Sequence, residues 1–133
     1  MSGHLVVNGF KIGKTDKFIF VKTTDTPFSR TCSSILKSFA VLDGKTVDFR
    51  TVRSSFTDRV SFVDKDSGLY LIYNNDDELI FDTVPFSFYM DDVCDGDLCI
   101  GFKLRLDTVN YLQLNDGSFG LSNLKDSSVF SLC

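Results

Sequence analysis

Histidine, cysteine and carboxylate side chains carry most protein chemistry, and this 133-residue chain holds one His, four Cys and 17 Asp. Nucleophilic catalysis needs a Ser or Cys beside a positioned base. The only His is His4, close to the start of the chain, where an ordinary terminal residue is expected. Acid and base work needs a pair of carboxylates set apart by their surroundings, and no pair of Asp stands out in this way. Gly9-Phe10-Lys11-Ile12-Gly13-Lys14 has neither the spacing nor the following helix of a phosphate-cradling loop. These residues predict a protein that is not an enzyme and needs no cofactor.

Metal chemistry is equally thin. Asp91, Asp92, Asp95 and Asp97 offer oxygen ligands of the kind Ca²⁺ takes, but they lack the alternate-position ligands and closing Glu of a calcium loop. The run is expected to be a solvated loop. Cys32, Cys94, Cys99 and Cys133 do not form the two close pairs, or the Cys and His pairs, of a zinc site. In a reducing cytosol they would be buried thiols. Cys94-Asp-Gly-Asp-Leu-Cys99 is the one spacing at which a disulfide could close a turn.

Charge supplies a candidate binding surface instead. The net charge is −4, yet residues 1–60 carry ten Lys and Arg against five Asp, a net of +5, while residues 61–133 reach −9. The basic part holds Lys11, Lys14, Lys17 and Lys22, then Arg50, Arg53 and Arg59. Such a patch would steer an acidic protein partner; a merely solvated surface is the plainer explanation. Nucleic acid is not favoured by an acidic chain without a recognisable binding motif. No charged-then-apolar leader is visible, no apolar run nears the ~20 residues of a membrane span, and no Asn-x-Ser/Thr acceptor occurs. The expectation is a cytoplasmic protein, or one exported without a visible signal peptide.

The elements that must position these residues are strands. The chain has one Ala, one Glu and one Gln, against 14 Phe, 12 Val and 15 Ser. Strong helix formers are depleted, while strand formers and turn residues are abundant. Large apolar residues recur in three sets: Phe10, Phe18, Phe28 and Phe39; Phe62, Tyr70, Phe81 and Phe88; Phe102, Tyr111, Phe119 and Phe130. Strands are expected at 5–10, 17–22, 28–32 and 38–42; at 60–64, 69–74, 79–83 and 86–90; and at 100–107, 111–115, 119–123 and 129–133. A period near forty residues marks a repeat architecture. A single domain over 1–133 follows, with repeats at about 4–42, 60–90 and 100–133, and residues 43–59 as an insertion, either an elongated hairpin or a protruding loop. Phe20, Leu71 and Leu112 fall at equivalent places and should be core.

Three units of four strands resemble the β-trefoil superfamily. The last unit, Tyr111-Leu112-Gln113-Leu114-Asn115-Asp116-Gly117-Ser118-Phe119-Gly120-Leu121, is similar to units of fascin, hisactophilin and the fibroblast growth factors. Leu69-Tyr70-Leu71-Ile72-Tyr73 with Leu79-Ile80-Phe81 and Phe86-Ser87-Phe88 repeats it. The resemblance implies an all-β trefoil fold, with a β-sandwich as the other arrangement of regularly spaced short strands. It implies a non-enzymatic binding module, foremost a cytosolic protein–protein interaction domain of cytoskeletal type. A secreted cytokine-like ligand, a carbohydrate-binding lectin and a trefoil protease inhibitor are the other members of that set. The ricin-type lectins repeat Gln-x-Trp, and this chain has no Trp.

Overall fold

The computed structural model describes residues 2–7, 10–14, 19–23, 45–54, 57–115 and 118–132. Fourteen strands lie there: β1 (Ser2–Gly3), β2 (Leu5–Val7), β3 (Phe10–Lys14), β4 (Ile19–Thr23), β5 (Lys45–Thr46), β6 (Phe49–Arg53) and β7 (Arg59–Asp64). They continue with β8 (Tyr70–Tyr73), β9 (Leu79–Asp82), β10 (Phe88–Asp95), β11 (Leu98–Arg105), β12 (Tyr111–Asn115), β13 (Ser118–Ser122) and β14 (Phe130–Leu132). No helix occurs among the described residues, so none there is long and apolar enough to cross a membrane. The depletion of helix formers is the sequence-level cause.

All fourteen strands join one antiparallel sheet that curls into a half-barrel. The main path runs β1-β6-β7-β10-β11-β14-β2-β3-β4, with β8–β9 attached to β7, β12–β13 to β11, and β5 to β3. β1 and β2 are separated by His4 alone, so the path begins and nearly returns in the same short segment. Its concave side is filled by phenyl rings. Phe49, Phe62, Phe88 and Phe130 are fully buried, and Phe62 stacks on Phe102, which stacks in turn on Phe130. Leu71 and Leu112 are fully buried in this core as expected; the side chain of Phe20 lies outside the described residues.

Three expectations are revised, and for one segment a choice between two alternatives is made. Residues 5–10 are not one strand: Val7 pairs with Phe10, so β2 and β3 are separate antiparallel strands. Residues 43–59 include β5 and β6, and β6 pairs with β7 over five positions while Phe49 and Val47 enter the core. Of the two forms expected for this segment, the hairpin is the one seen, and it is part of the sheet. The run 91–97 is not a loop, because Asp91, Asp92 and Asp95 belong to β10 and only Gly96 and Asp97 form the turn. His4 is held, its Nδ1 donating to the Val47 carbonyl at 2.8 Å. The expected strands at 28–32 and 38–42 lie outside the described residues.

Several Asp and Asn side chains close turns. Asp64 is buried and accepts from the Asp66 N–H at 3.1 Å and the Ser67 hydroxyl at 2.7 Å. Asn74 Oδ1 accepts from the N–H groups of Asp76 and Glu78 at 3.0 and 2.9 Å. Asp107 Oδ1 accepts from Val109 and Asn110, both at 2.9 Å, and Asn123 accepts from Asp126 at 2.8 Å. A side chain that bonds backbone two to four residues on closes a turn without help from a neighbouring strand.

Candidate interaction site on the β10–β11 ribbon

β10 and β11 are the two longest strands, eight residues each, and they pair along their length from Tyr89↔Arg105 to Asp95↔Leu98. Their outer neighbours cover only one end. β7 meets β10 at Phe88 and Tyr89, and its turn supplies a last bond from Met90 N–H to the Asp58 carbonyl. β14 meets β11 at Phe102. Gly101 is needed there, since a Cβ would collide with the Phe130 carbonyl and with Val129. Beyond these contacts, among the described residues, 91–100 find strand partners only within the ribbon itself, which runs on for roughly 15 Å at ~3.3 Å per residue.

Four cross-strand neighbours build the base. The register sets Arg59 opposite Tyr89, Tyr89 opposite Arg105, and Arg105 opposite Tyr111, so cation and ring alternate across β7, β10, β11 and β12. The guanidinium carbons of Arg59 and Arg105 stand 4.8 and 4.5 Å from the Tyr89 ring centre. Each such contact is worth ~0.5–1 kcal/mol where exposed and more where water is excluded. Asp91 joins two members of this ladder, accepting from Arg105 Nε at 2.8 Å and from the Tyr111 hydroxyl at 3.1 Å. The hydrogen bond from Arg105 to Asp91 pushes the guanidinium above its ordinary value. Burial, then the same carboxylate, pushes the Tyr111 phenol up. Both groups therefore keep their protons through the physiological range.

The tip has a different chemistry. Residues 94–100 are all exposed, and Leu98 and Ile100 present about half of their surface to solvent. Asp92, Asp95 and Asp97 flank them and form no ion pair among the described residues. Cys94 and Cys99 are directly opposed and form a disulfide. A register shift falls beside this pair, between Val93 and Cys94, and Gly96 turns the chain with φ of +63°. That conformation favours glycine.

The residues proposed from charge fall into two groups. Lys11 and Lys14 lie on β3 and Lys22 on β4, where the register sets Lys11 opposite Lys22; Lys17 lies outside the described residues. Arg50 and Arg53 are exposed on β6. Their odd separation directs them to opposite faces of that strand. Arg53 reaches the Met90 sulfur at 3.4 Å, and half-buried Arg59 packs on Tyr89 with its buried Nε unpartnered. The structure thus brings Arg53 and Arg59 to the ribbon base and leaves Arg50 apart. Sequence reasoning missed Tyr89, Arg105 and Tyr111, and the only available signal was their place in strands of alternating pattern.

Asp91 is ion-paired with Arg105, His4 is bound to backbone, and among the described residues no three His, Cys, Asp or Glu side chains converge as a metal would need. What the arrangement can do is hold an apolar, acid-rimmed tip in a set orientation. Comparison with known protein families finds no match, and comparison with curated proteins finds none.

Proposed function

We propose that this chain is a β-trefoil binding module that acts without catalysis and docks a protein partner on the β10–β11 tip. The observation that carries the reading is the exposure of Leu98 and Ile100 at the end of a ribbon anchored by the Arg–Tyr ladder. Exposed apolar side chains on a fixed projection lose little freedom on binding, which is where affinity is otherwise lost. Three attached hairpins, β3–β4, β8–β9 and β12–β13, support the trefoil arrangement, each hanging from a strand of the main path or extending it. The Cys94–Cys99 bond supports work in an oxidising compartment, the exported reading rather than the cytoplasmic one.

A second surface is favoured by a specific observation: Arg50 and Arg53 are exposed and form no ion pair among the described residues. With Lys11, Lys14, Lys17, Lys22 and Arg59 they belong to the part of the sequence, residues 1–60, whose net charge of +5 would steer an acidic protein partner. The test compares three immobilised proteins for retention of candidate partner proteins at physiological salt: wild type, Leu98→Ser/Ile100→Ser and Arg50→Glu/Arg53→Glu. A protein held by wild type and lost by the first variant supports the tip. Loss only with the second moves the site to the basic surface. Equal retention by all three sinks both.

A further inference from the structure

Two antiparallel strands alone are marginal in water, and a third strand or a covering element normally supplies the missing stability. The ribbon has such support at its base, through β7, β12 and β14, and, among the described residues, none along 91–100. Within that unsupported part, among the described residues, no side chain caps the turn, in contrast to the turns at Asp64, Asn74, Asp107 and Asn123. One covalent bond does the equivalent work. Cys94 and Cys99 are opposed across the ribbon and both are exposed, so their sulfurs are open to an attacking thiolate.

We infer that the Cys94–Cys99 disulfide is a redox lock on the docking tip: oxidised, it holds Leu98 and Ile100 in presentation, and reduced, it lets residues 91–100 fray while the sheet stays folded. This inference rests on the reading of the tip as the docking surface. The reductant it names is a dithiol. A thiolate of that dithiol attacks one cysteine sulfur, the Cys94–Cys99 bond breaks, and the released thiolate takes a proton. The second thiol then displaces the mixed disulfide. Two cysteine thiols and one oxidised dithiol result, for a two-electron exchange.

The core is arranged to survive the change. Phe62, Phe88, Phe102 and Phe130 carry the packing beneath the ribbon base, and the ladder from Arg59 to Tyr111 pins the base on the other face. Neither involves residues 94–100. Fraying is therefore a local opening of the kind that amide exchange resolves residue by residue.

The experiment is amide hydrogen exchange on three samples of the full chain: oxidised wild type, dithiol-treated wild type, and Cys94→Ser/Cys99→Ser. The double variant isolates this pair, because a dithiol also reaches any other disulfide. Exchange at residues 92–95 and 98–100 is expected to rise roughly tenfold or more in both reduced-like samples, with Phe62, Leu71 and Leu112 unchanged. Unchanged exchange at the tip overturns the lock, and equal loosening of the whole sheet makes the bond a general staple instead. No partner is present in these samples, so the lock can stand even where the docking reading fails. Conversely, a partner retained equally with and without dithiol, yet lost by Leu98→Ser/Ile100→Ser, keeps the docking surface and overturns its redox control.

Discussion

The β8–β9 hairpin and the β10–β11 ribbon are both antiparallel pairs with turns in solvent, and they are built to opposite plans. β8–β9 sends Leu71, Tyr73 and Leu79 into the core and lets Asn74 satisfy its own turn through the N–H groups of Asp76 and Glu78. Its exposed residues are polar, and Asp77 accepts a positive φ of 58° to make the turn. β10–β11 keeps its apolar anchors, Phe88, Phe102 and Leu104, at the base. At the far end it exposes Leu98 and Ile100 and replaces turn capping with a disulfide. In that hairpin the apolar side chains serve the core and Asn74 serves its own backbone. The ribbon instead combines exposed apolar side chains with a covalent restraint.

The largest effect that sharpens this contrast is core truncation against tip truncation. Leu71→Ala removes a fully buried side chain, and the cavity should cost ~2–5 kcal/mol in denaturant unfolding. Leu98→Ala should stay within about 0.5 kcal/mol of wild type, as exposed substitutions do. A loss above ~1.5 kcal/mol for Leu98→Ala would mean that the tip is packed against something and is not free.

Next in size is the junction between the two plans. Gly101→Ala puts a methyl against the Phe130 carbonyl and Val129, and overpacking of this kind costs ~1–3 kcal/mol. The same change at Gly120, where a Cβ meets nothing within 4 Å, should be close to neutral. Equal melting temperatures for the two variants would show that β11 is free to move away from β14.

How much of this was legible in the sequence depends on range. Strand 111–115 matches β12 residue for residue, because Tyr111-Leu112-Gln113-Leu114 alternates cleanly and Asn115 begins a turn. Leu71 and Leu112 were recognisable as core for the same reason. The division of residues 5–10 between β2 and β3 was hidden by the apolar Val6, Val7 and Phe10, which read as one run. β10 was underestimated because Asp is depleted in strands; its continuation through Asp91, Asp92 and Asp95 depends on partners such as Lys103 and Arg105 on β11. The ladder of Arg59, Tyr89, Arg105 and Tyr111 spans four strands and some fifty residues of chain, and only the register between strands assembles it. No local pattern carries register of that range.

Capping itself can be removed in the hairpin that depends on it. Asn74→Ala deletes the acceptor for two backbone N–H groups in an exposed turn, and by analogy with helix caps should cost ~1 kcal/mol. Asp97→Ala, in a turn held by the disulfide, should change stability by less than about 0.5 kcal/mol. Once Cys94 and Cys99 are both Ser, a lower melting temperature for Asp97→Ala against Asp97 would reveal a role for that side chain that the bond had masked.

The smallest effect is a titration, and it tests whether capping carboxylates really work as charged groups. Asp107 is fully exposed, yet its carboxyl is held below the ordinary value, first by the Val109 N–H, then by the Asn110 side chain and the Asn110 N–H. These donors bond the charged form better than the protonated one. A carboxyl lowered in the folded state binds fewer protons than its unfolded counterpart, so its contribution is complete above the ordinary carboxylate range. It is lost as pH falls through the lowered value. Unfolding midpoints followed from pH 6 to pH 2 should therefore decline less steeply in Asp107→Asn than in wild type, and the two curves should converge at the acid end. Parallel curves for Asp107→Asn and wild type would mean that its turn is held by backbone geometry alone, and the distinction between capped turns and the stapled tip would lose one of its supports.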